Sequence, residues 1–379
     1  MNSNDLKIKV AIIEPVGGYG GMHFYDMGLS FGLLPLVDSV YLFSSNISPV
    51  VGKENLFIYN LFDIVWKTKN KFLLFIKYVY SYFKSVIIAY RNNCNIIHLH
   101  QFHFSFLLVL NVVIAKLFFN KIIMTIHDIE SFEKQKLGKF NAIEKITYSM
   151  ICKFIVHNQY SFEKLKGKLI STKINIIEHG NYIPFIKRIS RKENNECFNI
   201  LFFGQIKKVK GLDILLTGLA RLKLENSNFL LTIAGRPWRD NLSFYDDIVE
   251  KNNLTKNVKF DLNYIPDDKV YEYFDKADLV ILPYKRIYQS GVLLLAMSYG
   301  RAVLASDLTP FSEIIVDGIN GYLFHSEDAL SLANKLILIT QNRSKLKVIE
   351  SNAYNFVIEN FDWFKIGEKT FKTYQELLK

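Results

Sequence analysis

The chain has 379 residues, half of them hydrophobic, and a formal net charge of +11. This length accommodates two domains with sizeable cores, and this composition excludes an intrinsically disordered chain. Three scattered cysteines without a CxxC pair argue against a disulfide framework and a structural zinc site, so a reducing cytoplasmic setting is predicted. The polar residues 1–9 lead directly into a predicted strand, which argues against a signal peptide.

Short, β-branched strands alternate with helical stretches along the whole chain. In the first half the predicted strands are Ile8–Glu14, Val40–Ser44, Asn95–His100, Ile122–His127, Phe154–His157 and Ile174–Glu178. In the second half they are Phe198–Phe203, Phe229–Ala234, Val258–Leu262, Leu279–Leu282 and Ala302–Ala305. These strands are apolar on both faces and helices separate nearly all of them, which predicts parallel sheets in two doubly wound α/β domains.

A charged, apolar-poor stretch at 187–196 separates the two series of strands and is predicted to be a linker. The domains are therefore predicted at 1–186 and 197–379, and the last helix, at about 360–379, is a candidate to return to the first domain. The longest apolar run, Phe102–Asn120, is interrupted by polar residues and lies between two strands. It is predicted to be a helix packed on the sheet and not a membrane span.

The segment Phe202–Asp213 reads FFGQIKKVKGLD and lies between a predicted strand and the predicted helix Leu212–Leu224. It is therefore interpreted as strand, glycine turn, basic loop, second glycine and helix. Lys207 and Lys210 fall beside backbone N–H groups near a helix start. There the amide donors, the helix dipole and the side-chain charge together suit a diphosphate. The alternative is an ordinary solvated loop.

Other polar residues also follow predicted strands, and doubly wound domains bind ligands at the carboxyl ends of their strands. In the first half these are the glycine turn Gly17–Gly21 and the histidines His98, His100, His127 and His179. In the second half they are Gly235–Pro237, Pro283–Arg286 and Ser306–Asp307. A histidine that ends a buried strand is often a core residue, and this alternative stays open for His98, His100 and His179.

Six segments follow one another along almost the whole chain: Gly17–Gly21, Thr125–Asp128, Phe203–Gly211, Asp278–Tyr284, Gln289–Gly300, and Glu313 with Asp317–Leu323. As an ordered set they resemble the retaining glycosyltransferases of family 4. The resemblance implies the GT-B fold, an α/β architecture of two doubly wound Rossmann-like domains facing a central cleft. The first domain would bind the acceptor and the second the nucleotide sugar.

The resemblance implies roles for individual residues. Catalysis is assigned to His127, Lys207 and Lys210, with the lysines gripping the diphosphate and the histidine contacting the sugar or orienting the acceptor. Donor binding is assigned to Gly18, Gly20, Gly204, Arg236, Gln289, Ser290, Gly291, Val292 and Glu313. Acceptor binding is assigned to Gly21, His100 and Asp128. Glu313 is alternatively interpreted as a helix-start residue.

The donor loop departs from the common family pattern of two glutamates eight residues apart. Ile287 and Leu295 stand at those positions, and residues 284–300 contain no carboxylate. The loop instead resembles a Gln-Ser-Gly-Val variant, in which Gln289 would hydrogen-bond the sugar and N–H groups at a helix start would hold the phosphate. Lys207 stands where arginine is common, which keeps the charge but loses the bidentate fork.

The implied reaction is that of a retaining hexosyltransferase with a UDP- or GDP-linked sugar as donor. The implied mechanism is front-face, with the leaving phosphate as base. Negative charge that develops on the leaving diphosphate would be stabilised by Lys207, Lys210 and helix N-termini. The sequence contains no Asp-x-Asp motif, so a metal-independent reaction without a cofactor is expected.

The segment Trp66–Arg91 contains six basic residues and no acidic one, interleaved with aromatic side chains. This pattern is typical of a basic amphipathic helix that lies on an anionic membrane surface. An ordinary amphipathic helix on the first sheet is the alternative. Nucleic-acid binding is disfavoured because no nucleic-acid module accompanies the segment.

The sequence is thus interpreted as a glycosyltransferase that acts on a lipid-linked oligosaccharide acceptor in bacterial surface polysaccharide biosynthesis, such as O-antigen, capsule or exopolysaccharide. The expected location is cytoplasmic, peripheral on the inner face of the plasma membrane. The alternative is a non-catalytic GT-B subunit that binds a partner or a glycan. An epimerase of similar fold is disfavoured by the basic aromatic surface.

Overall fold

The structure, a computed structural model, describes residues 7–18, 21–63, 70–129, 142–187, 197–224, 228–238 and 241–379. The chain divides into two compact units. The first comprises Met1–Gly180 together with Phe361–Lys379, and the second comprises Asn181–Asn360. Residues 181–187 therefore group with the second unit, and the rest of the predicted linker lies outside the described residues.

The first unit is built on a parallel sheet of seven strands. They are β1 Lys9–Ile13, β2 Ser39–Ser45, β3 Leu56–Phe62, β4 Ile96–Gln101, β5 Ile122–Ile126, β6 Lys153–Val156 and β7 Ile174–Ile176. The strand order is β3-β2-β1-β4-β5-β6-β7. Val10 of β1 pairs with Val40 on one side and Ile96 on the other. The predicted first-half strands lie within two residues of observed ones.

Strand β3 was not predicted. It forms the edge of the sheet and is only partly buried, with Phe57 43% exposed. No helix separates it from β2 among the described residues. It therefore lacks both the two-sided burial and the intervening helix on which the strand predictions rested.

Helices cover this sheet. They are α1 Met22–Leu33, α2 Lys71–Arg91, α3 Phe106–Phe118, α4 Ala142–Ser149 and α5 Gln159–Lys166. Helix α3 occupies the apolar run that was predicted to pack on the sheet, and its Leu108, Val112, Ile114 and Ala115 are buried. Helix α2 covers the basic aromatic segment from Lys71 onward. Trp66, Lys67 and Lys69 lie outside the described residues.

The second unit is built on a parallel sheet of six strands in the order β10-β9-β8-β11-β12-β13. They are β8 Phe198–Phe203, β9 Phe229–Ala234, β10 Val258–Asp261, β11 Leu279–Leu282, β12 Ala302–Ser306 and β13 Tyr322–Phe324. The five predicted strands are all present with bounds correct to within one residue. The missed strand, β13, has three residues and lies at the edge of the sheet, so it carries little periodic signal.

The helices of the second unit are α6 Leu212–Leu224, α7 Leu242–Lys251, α8 Val270–Lys276, α9 Gly291–Ser298, α10 Thr309–Ser312, α11 Ala329–Gln341 and α12 Leu346–Asn360. The predicted helix 212–224 is observed with those bounds. Its Leu215 and Leu219 are fully buried against strand residues such as Phe202 and Phe229. This core fixes the strand ends on which the candidate site is built.

The C-terminal helix α13, Trp363–Leu378, belongs to the first unit and packs on α1. The two backbones meet at glycines: a Cβ built on Gly32 would lie 1.9 Å from the carbonyl oxygen of Trp363. The Tyr374 hydroxyl of α13 also hydrogen-bonds Nδ1 of His98 in β4 at 2.7 Å. Helix α13 is therefore a structural part of the first unit.

We expect Gly32→Ala to destabilise the first unit by about 1–3 kcal/mol, because the added methyl overpacks against rigid backbone. This cost outweighs the roughly 1 kcal/mol that alanine gains over glycine in a helix interior. Urea denaturation measures it. The matched control is Gly167→Ala after α5, where φ is −79° and no atom lies within 4 Å of the new Cβ. Equal stability of the two variants would contradict the close packing of α1 on α13.

Candidate functional site

Four histidines lie together at the carboxyl ends of neighbouring strands in the first unit. His100 ends β4, and His127, His157 and His179 follow β5, β6 and β7. Tyr25 of α1 contacts all four rings, with centroid distances between 5.0 and 5.4 Å. The structure therefore joins the predicted site residues His100 and His127 to two histidines that the prediction did not place in the site.

His98 lies deeper in β4, and its surroundings match the alternative of a core histidine. Its Nδ1 hydrogen-bonds the Tyr374 hydroxyl and its Nε2 the Thr125 hydroxyl, both at 2.7 Å. The ring is fully buried. Both nitrogens are satisfied by the fold, so His98 serves the packing of α13 on the sheet.

All five histidines are held in the neutral form. Burial lowers the pKa of His98 and His157 to about 3 and that of His179 to about 4. Burial, with the neighbouring histidines, also holds the pKa of His100 and His127 well below its usual value. Each ring therefore has one N–H donor and one acceptor nitrogen at neutral pH.

The glycine turn after β1 is braced from within. The Glu14 carboxylate accepts hydrogen bonds from the N–H groups of Val16, at 2.9 Å, and of Gly17. The N–H of Gly18 donates to the hydroxyls of Ser45 and Ser48 at 3.1 and 2.9 Å. The N–H of Gly18, a predicted donor-binding residue, is thus already engaged by the protein.

Of the other residues predicted around this turn, Gly20 lies outside the described residues. Gly21 is the N-cap of α1 with φ of +80°, so it serves the start of the helix. Asp128 follows His127 at the end of β5 and is half-buried. Nothing in the sequence near the turn signalled the serine hydroxyls, because they come from the end of the neighbouring strand β2.

A pair of buried carboxyls lies beneath the turn. Glu14 and Asp26 are both fully buried, and Asp26 Oδ1 lies 3.6 Å from Nδ1 of His100. Burial raises the pKa of Glu14 to about 7, and burial together with the charge of Glu14 raises the pKa of Asp26 well above its usual value. The pair therefore keeps a proton to higher pH than ordinary carboxyls do.

In the second unit, the loop after β8 holds its two predicted catalytic lysines over aromatic rings. The Lys210 ammonium lies 3.7 Å from the centroid of Tyr284, which follows β11 and is fully buried. The Lys207 ammonium lies 5.9 Å from the ring of Trp238, which follows β9. Both ammonium groups thus lie near the face of an aromatic ring, which attracts and orients a cation.

The basic loop is packed directly on the end of β11. Gly211 has φ of +67°, and a Cβ there would lie 1.8 Å from the carbonyl oxygen of Pro283. The backbone N–H of Lys285 donates to the carbonyl of Val209 at 2.9 Å. A side chain at Gly211 would push the 3₁₀ turn Lys208–Lys210 off the strand end, so this glycine places the two lysines.

The start of α9 lies beside the same loop. The Ser290 side chain caps the helix by accepting a hydrogen bond from the N–H of Leu293 at 3.2 Å. A Cβ built on Gly204 would be 3.4 Å from the side chain of Val292. The side-chain oxygen of Gln289 is buried and has no hydrogen-bond partner among the described residues. Predicted donor-binding residues from two loops therefore meet at one place.

Two further predicted donor-binding residues lie on exposed positions of the second unit. Arg236 is exposed, and its carbonyl accepts a hydrogen bond from the N–H of Ile206 at 3.0 Å, which ties the loops after β8 and β9 together. Glu313 is exposed at the C-cap of α10. The interpretation of Glu313 as a helix-start residue is wrong, because the helix begins four residues earlier, at Thr309–Pro310, where proline favours a start.

Despite the histidine cluster, the described residues contain no group of three or more His, Cys, Asp or Glu side chains that could hold a metal ion. The imidazoles of His100, His127 and His157 point at one another's nitrogens and not at a common centre. The cluster is thus a hydrogen-bonded set of neutral rings.

Part of the chain is similar to a known family. Residues 173–356 match the family described as Glycosyl transferases group 1. This segment contains Gly204, Lys207 and Lys210 as well as the start of α9, so the match includes the strand-end loops where the predicted donor-binding residues meet.

Curated relatives match about half to two thirds of the chain. The lipopolysaccharide 1,2-N-acetylglucosaminetransferase of Salmonella typhimurium is 24% identical over 243 residues, 60% of this chain and 63% of that protein. The GDP-mannose:glycolipid 4-beta-D-mannosyltransferase of Xanthomonas campestris is 27% identical over 206 residues, 53% of this chain and 55% of that protein. The chain thus spans less than two thirds of the length of these relatives.

Solved structures match over nearly the whole chain. A sucrose-phosphate synthase from Thermosynechococcus elongatus has a TM-score of 0.78 at 17% identity, covering 98% of this chain and 99% of that chain. Anabaena HepE in complex with UDP-glucose has a TM-score of 0.71 at 18% identity, covering 97% and 100%. The predicted fold class is confirmed: the chain has two parallel-sheet, Rossmann-like α/β domains of the GT-B type.

We expect the buried histidines to make the first unit sensitive to acid. Unfolded histidines bind protons below about pH 6.5 whereas the folded ones remain neutral, so each lowers the free energy of unfolding by about 1.4 kcal/mol per pH unit as the pH falls toward 4. Glu14 acts oppositely between about pH 7 and 4.5, because its raised pKa makes the folded state hold a proton that the unfolded state releases.

The contribution of one histidine is measured by urea denaturation of wild type and His98→Phe at several pH values. The stability advantage of wild type over the variant should shrink by about 1.4 kcal/mol per pH unit between pH 6 and 4. An advantage that stays constant over this range would mean that His98 is protonated in the folded state.

Proposed function

We propose that the protein is a retaining glycosyltransferase that moves a sugar from a UDP- or GDP-linked donor to a lipid-linked glycan. The observation that carries this proposal is the pair of lysines, Lys207 and Lys210, oriented by aromatic rings beside Gly204 and the start of α9. Two cations and a helix N-terminus at one strand-end site suit a diphosphate. The match of residues 173–356 to the family Glycosyl transferases group 1 and the named activities of the relatives support the same conclusion.

The chemistry needs this charge in the transition state. When the sugar–phosphate bond breaks, negative charge accumulates on the leaving diphosphate, and fixed cations stabilise it more than they stabilise the bound donor. Lys210 is held by a buried ring and Lys207 by a second one, so neither has to reorganise during the reaction. We further propose that the reaction proceeds without a metal or cofactor, with the leaving phosphate acting as base in a front-face mechanism.

Donor identity is the least constrained part of the proposal. One structural neighbour binds UDP-glucose and one relative is named for GDP-mannose, so both nucleotides are candidates. Residues 284–300 offer no carboxylate to the ribose. Gln289, with its buried and unpartnered side-chain oxygen, is the group available to hydrogen-bond the donor at the start of α9.

For the acceptor, we propose that the first unit meets an anionic membrane through α2. This helix has no acidic residue, and its exposed side chains include Lys71, Lys84 and Arg91 together with Phe72 and Tyr80, which are 72% and 65% exposed. An ordinary amphipathic helix would present polar side chains to water. Cationic and aromatic side chains on one outer surface instead suit the headgroup region of anionic lipids.

Helix α2 is, among the described residues, the one helix long and apolar enough to cross a membrane by length and composition. We favour a surface position for it, because its other face is committed to the first unit. Tyr82, Ser85, Val86 and Ala89 are buried, and the Ser81 hydroxyl donates to the carbonyl of Leu61 in β3 at 2.8 Å. Spanning a bilayer would remove this face from the core of the unit.

The proposed setting is bacterial surface polysaccharide biosynthesis on the cytoplasmic face of the plasma membrane. Relatives named for lipopolysaccharide and for glycolipid transfer support it, as does a relative encoded in a cps region of Klebsiella pneumoniae. The second candidate is a non-catalytic GT-B subunit that binds a partner or glycan. The absence of carboxylates at Ile287 and Leu295 favours it, whereas the oriented lysines favour an active enzyme.

We expect Lys210→Ala to weaken UDP or GDP binding about 10- to 100-fold, since a charge-assisted contact contributes about 1.5–3 kcal/mol. Turnover should fall further, because the contact strengthens as the diphosphate leaves. Calorimetry with each nucleotide and a donor-panel assay on membranes that contain lipid-linked acceptor measure the two effects. Lys208→Ala, an exposed lysine of the same turn, is the control and should change neither.

The outcomes separate the candidates. Equal nucleotide affinity for Lys210→Ala and Lys208→Ala would sink the diphosphate assignment. Nucleotide binding that depends on Lys210 but brings no transfer from any donor would favour the non-catalytic subunit.

We expect replacement of Lys71, Lys84 and Arg91 by glutamine to release the protein from anionic vesicles. Each basic residue near such a surface contributes about 1 kcal/mol, so the three together should lower binding by about 100-fold at low salt. Nucleotide affinity should be unchanged. Vesicle co-sedimentation against salt is the measurement, and replacement of Lys164, Lys166 and Lys168 around the end of α5 is the charge-matched control. Equal release of both variants would mean that α2 is not the membrane contact.

A further inference from the structure

Three histidines and a backbone carbonyl form a continuous line of hydrogen bonds across the carboxyl ends of β4, β5, β6 and β7. Nδ1 of His100 lies 3.4 Å from Nε2 of His127. Nδ1 of His127 lies 3.1 Å from Nε2 of His157. Nδ1 of His157 lies 2.9 Å from the carbonyl oxygen of Ile177. In each contact, Nδ1 of one histidine faces Nε2 of the next histidine or, at the end of the line, the carbonyl oxygen of Ile177.

The carbonyl of Ile177 sets the direction of the whole line. A carbonyl oxygen only accepts, so Nδ1 of His157 must carry the proton. In a neutral ring Nε2 of His157 is then a lone pair, and it accepts from Nδ1–H of His127. Nε2 of His127 is in turn a lone pair, and it accepts from Nδ1–H of His100. Reversing any link would bring two lone pairs or two N–H groups into contact.

Two features keep the line in this single arrangement. The three rings are buried, and desolvation lowers the pKa of each, so a second proton on any ring is strongly disfavoured. The line ends at Nε2 of His100, which in this arrangement is a buried acceptor without a hydrogen-bond partner among the described residues. An unmet acceptor is tolerated in folded proteins more often than an unmet N–H.

Two aromatic rings pack against the imidazole of His127 and fix the orientation of its plane, whereas the hydrogen bonds fix which nitrogen carries the proton. Phe102 stacks on it at 5.0 Å between centroids with an interplanar angle of 13°, and Tyr25 meets it edge-on at 5.0 Å and 86°. The longest link is the one from His100 to His127. Nδ1 of His100 also lies 3.6 Å from Asp26 Oδ1, which is too far for a hydrogen bond.

We propose that His157 and His100 are positioning residues that lock His127 in its Nδ1–H tautomer, so that its Nε2 is held as a hydrogen-bond acceptor. His127 can then donate only toward His157 and accept only on the side of His100. This inference rests on the proposed function for its consequence in catalysis, whereas the tautomer itself is a property of the folded first unit. In this arrangement, His157 acts on the reaction through His127, whose Nε2 accepts from His100 at the long 3.4 Å contact and would accept from a substrate hydroxyl in place of that N–H.

The direct experiment is ¹⁵N NMR of the full-length protein labelled at histidine, because the ¹⁵N shifts of an imidazole distinguish its two tautomers. At pH 7 we expect His100, His127 and His157 all in the Nδ1–H form, the minor tautomer of free histidine in water. Assignment uses the loss of signals in His100→Phe, His127→Phe and His157→Phe. An Nε2–H signal from His127 or His157 in the wild-type protein would overturn the proposal.

The variants test the coupling. His157→Phe removes the acceptor of the His127 N–H, so the His127 shifts should move toward a mixture of tautomers. His157→Gln supplies an amide with one acceptor and one donor, so it should restore the Nδ1–H signal at His127. Unchanged His127 shifts in His157→Phe would overturn the proposal. If His157→Phe fails to fold, the wild-type and His157→Gln spectra decide.

The kinetic consequence is a split between turnover and donor binding. We expect His157→Phe to lower kcat by at least 10-fold with the donor KM and nucleotide affinity unchanged, and His157→Gln to recover most of the loss. The matched control is His98→Phe, an equally buried strand-end histidine whose partners, Tyr374 and Thr125, lie outside the line; its kcat should stay within a few-fold of wild type.

The failure of this inference and the failure of the proposed function look different. If no nucleotide sugar supports transfer, the proposed function fails, but the ¹⁵N spectra still decide the tautomer of His127. If transfer is observed and His157→Phe lowers kcat no more than His98→Phe does, the loss is one of stability and the positioning role of His157 is overturned.

Discussion

The structure of each unit depends on how polar groups are satisfied at the buried carboxyl ends of parallel strands. These ends are where doubly wound domains place ligand-binding side chains, yet a buried polar group without a partner costs free energy. In the first unit these groups are neutral imidazoles and hydroxyls that hydrogen-bond one another and the backbone, and burial raises the pKa of both neighbouring carboxyls, Glu14 and Asp26. A neutral imidazole suits this task because it offers one donor and one acceptor 2 Å or so apart in a rigid ring.

The second unit meets the same constraint with charge. Lys207 and Lys210 keep their ammonium groups over Trp238 and Tyr284, and Lys285 nearby is paired with Asp213 at 2.7 Å. The unit therefore presents positive charge where the loop after β8 and the start of α9 meet, which is the requirement for holding a diphosphate.

Sequence reasoning recovered most of the fold because strands buried on both faces leave continuous apolar runs. It missed β3, which is only partly buried, and β13, which has only three residues. It also identified the basic loop, because Gly204, Lys210 and Gly211 lie within eight residues of one another and form one continuous motif. It could not show the surroundings of the glycine turn, because the Gly18 N–H donates to Ser45 at the end of β2 and to Ser48 just after it. The role of His157 was invisible for the same reason: its partners His127 and Ile177 are set by the register of β5, β6 and β7.

The neutral imidazoles of the first unit and the lysines of the second respond differently to their surroundings, because one set is uncharged and the other is charged. A neutral hydrogen-bonded set in a dry interior is insensitive to ionic strength but is broken by protons that the buried rings cannot accept without cost. The half-exposed ammonium groups of Lys207 and Lys210 are instead screened by salt. In the proposed transfer reaction, the leaving diphosphate needs cations such as Lys207 and Lys210. The hydroxyls of a neutral sugar instead need hydrogen-bond donors and acceptors of fixed direction. The chain thus assigns to each unit the kind of polar group that its proposed ligand requires.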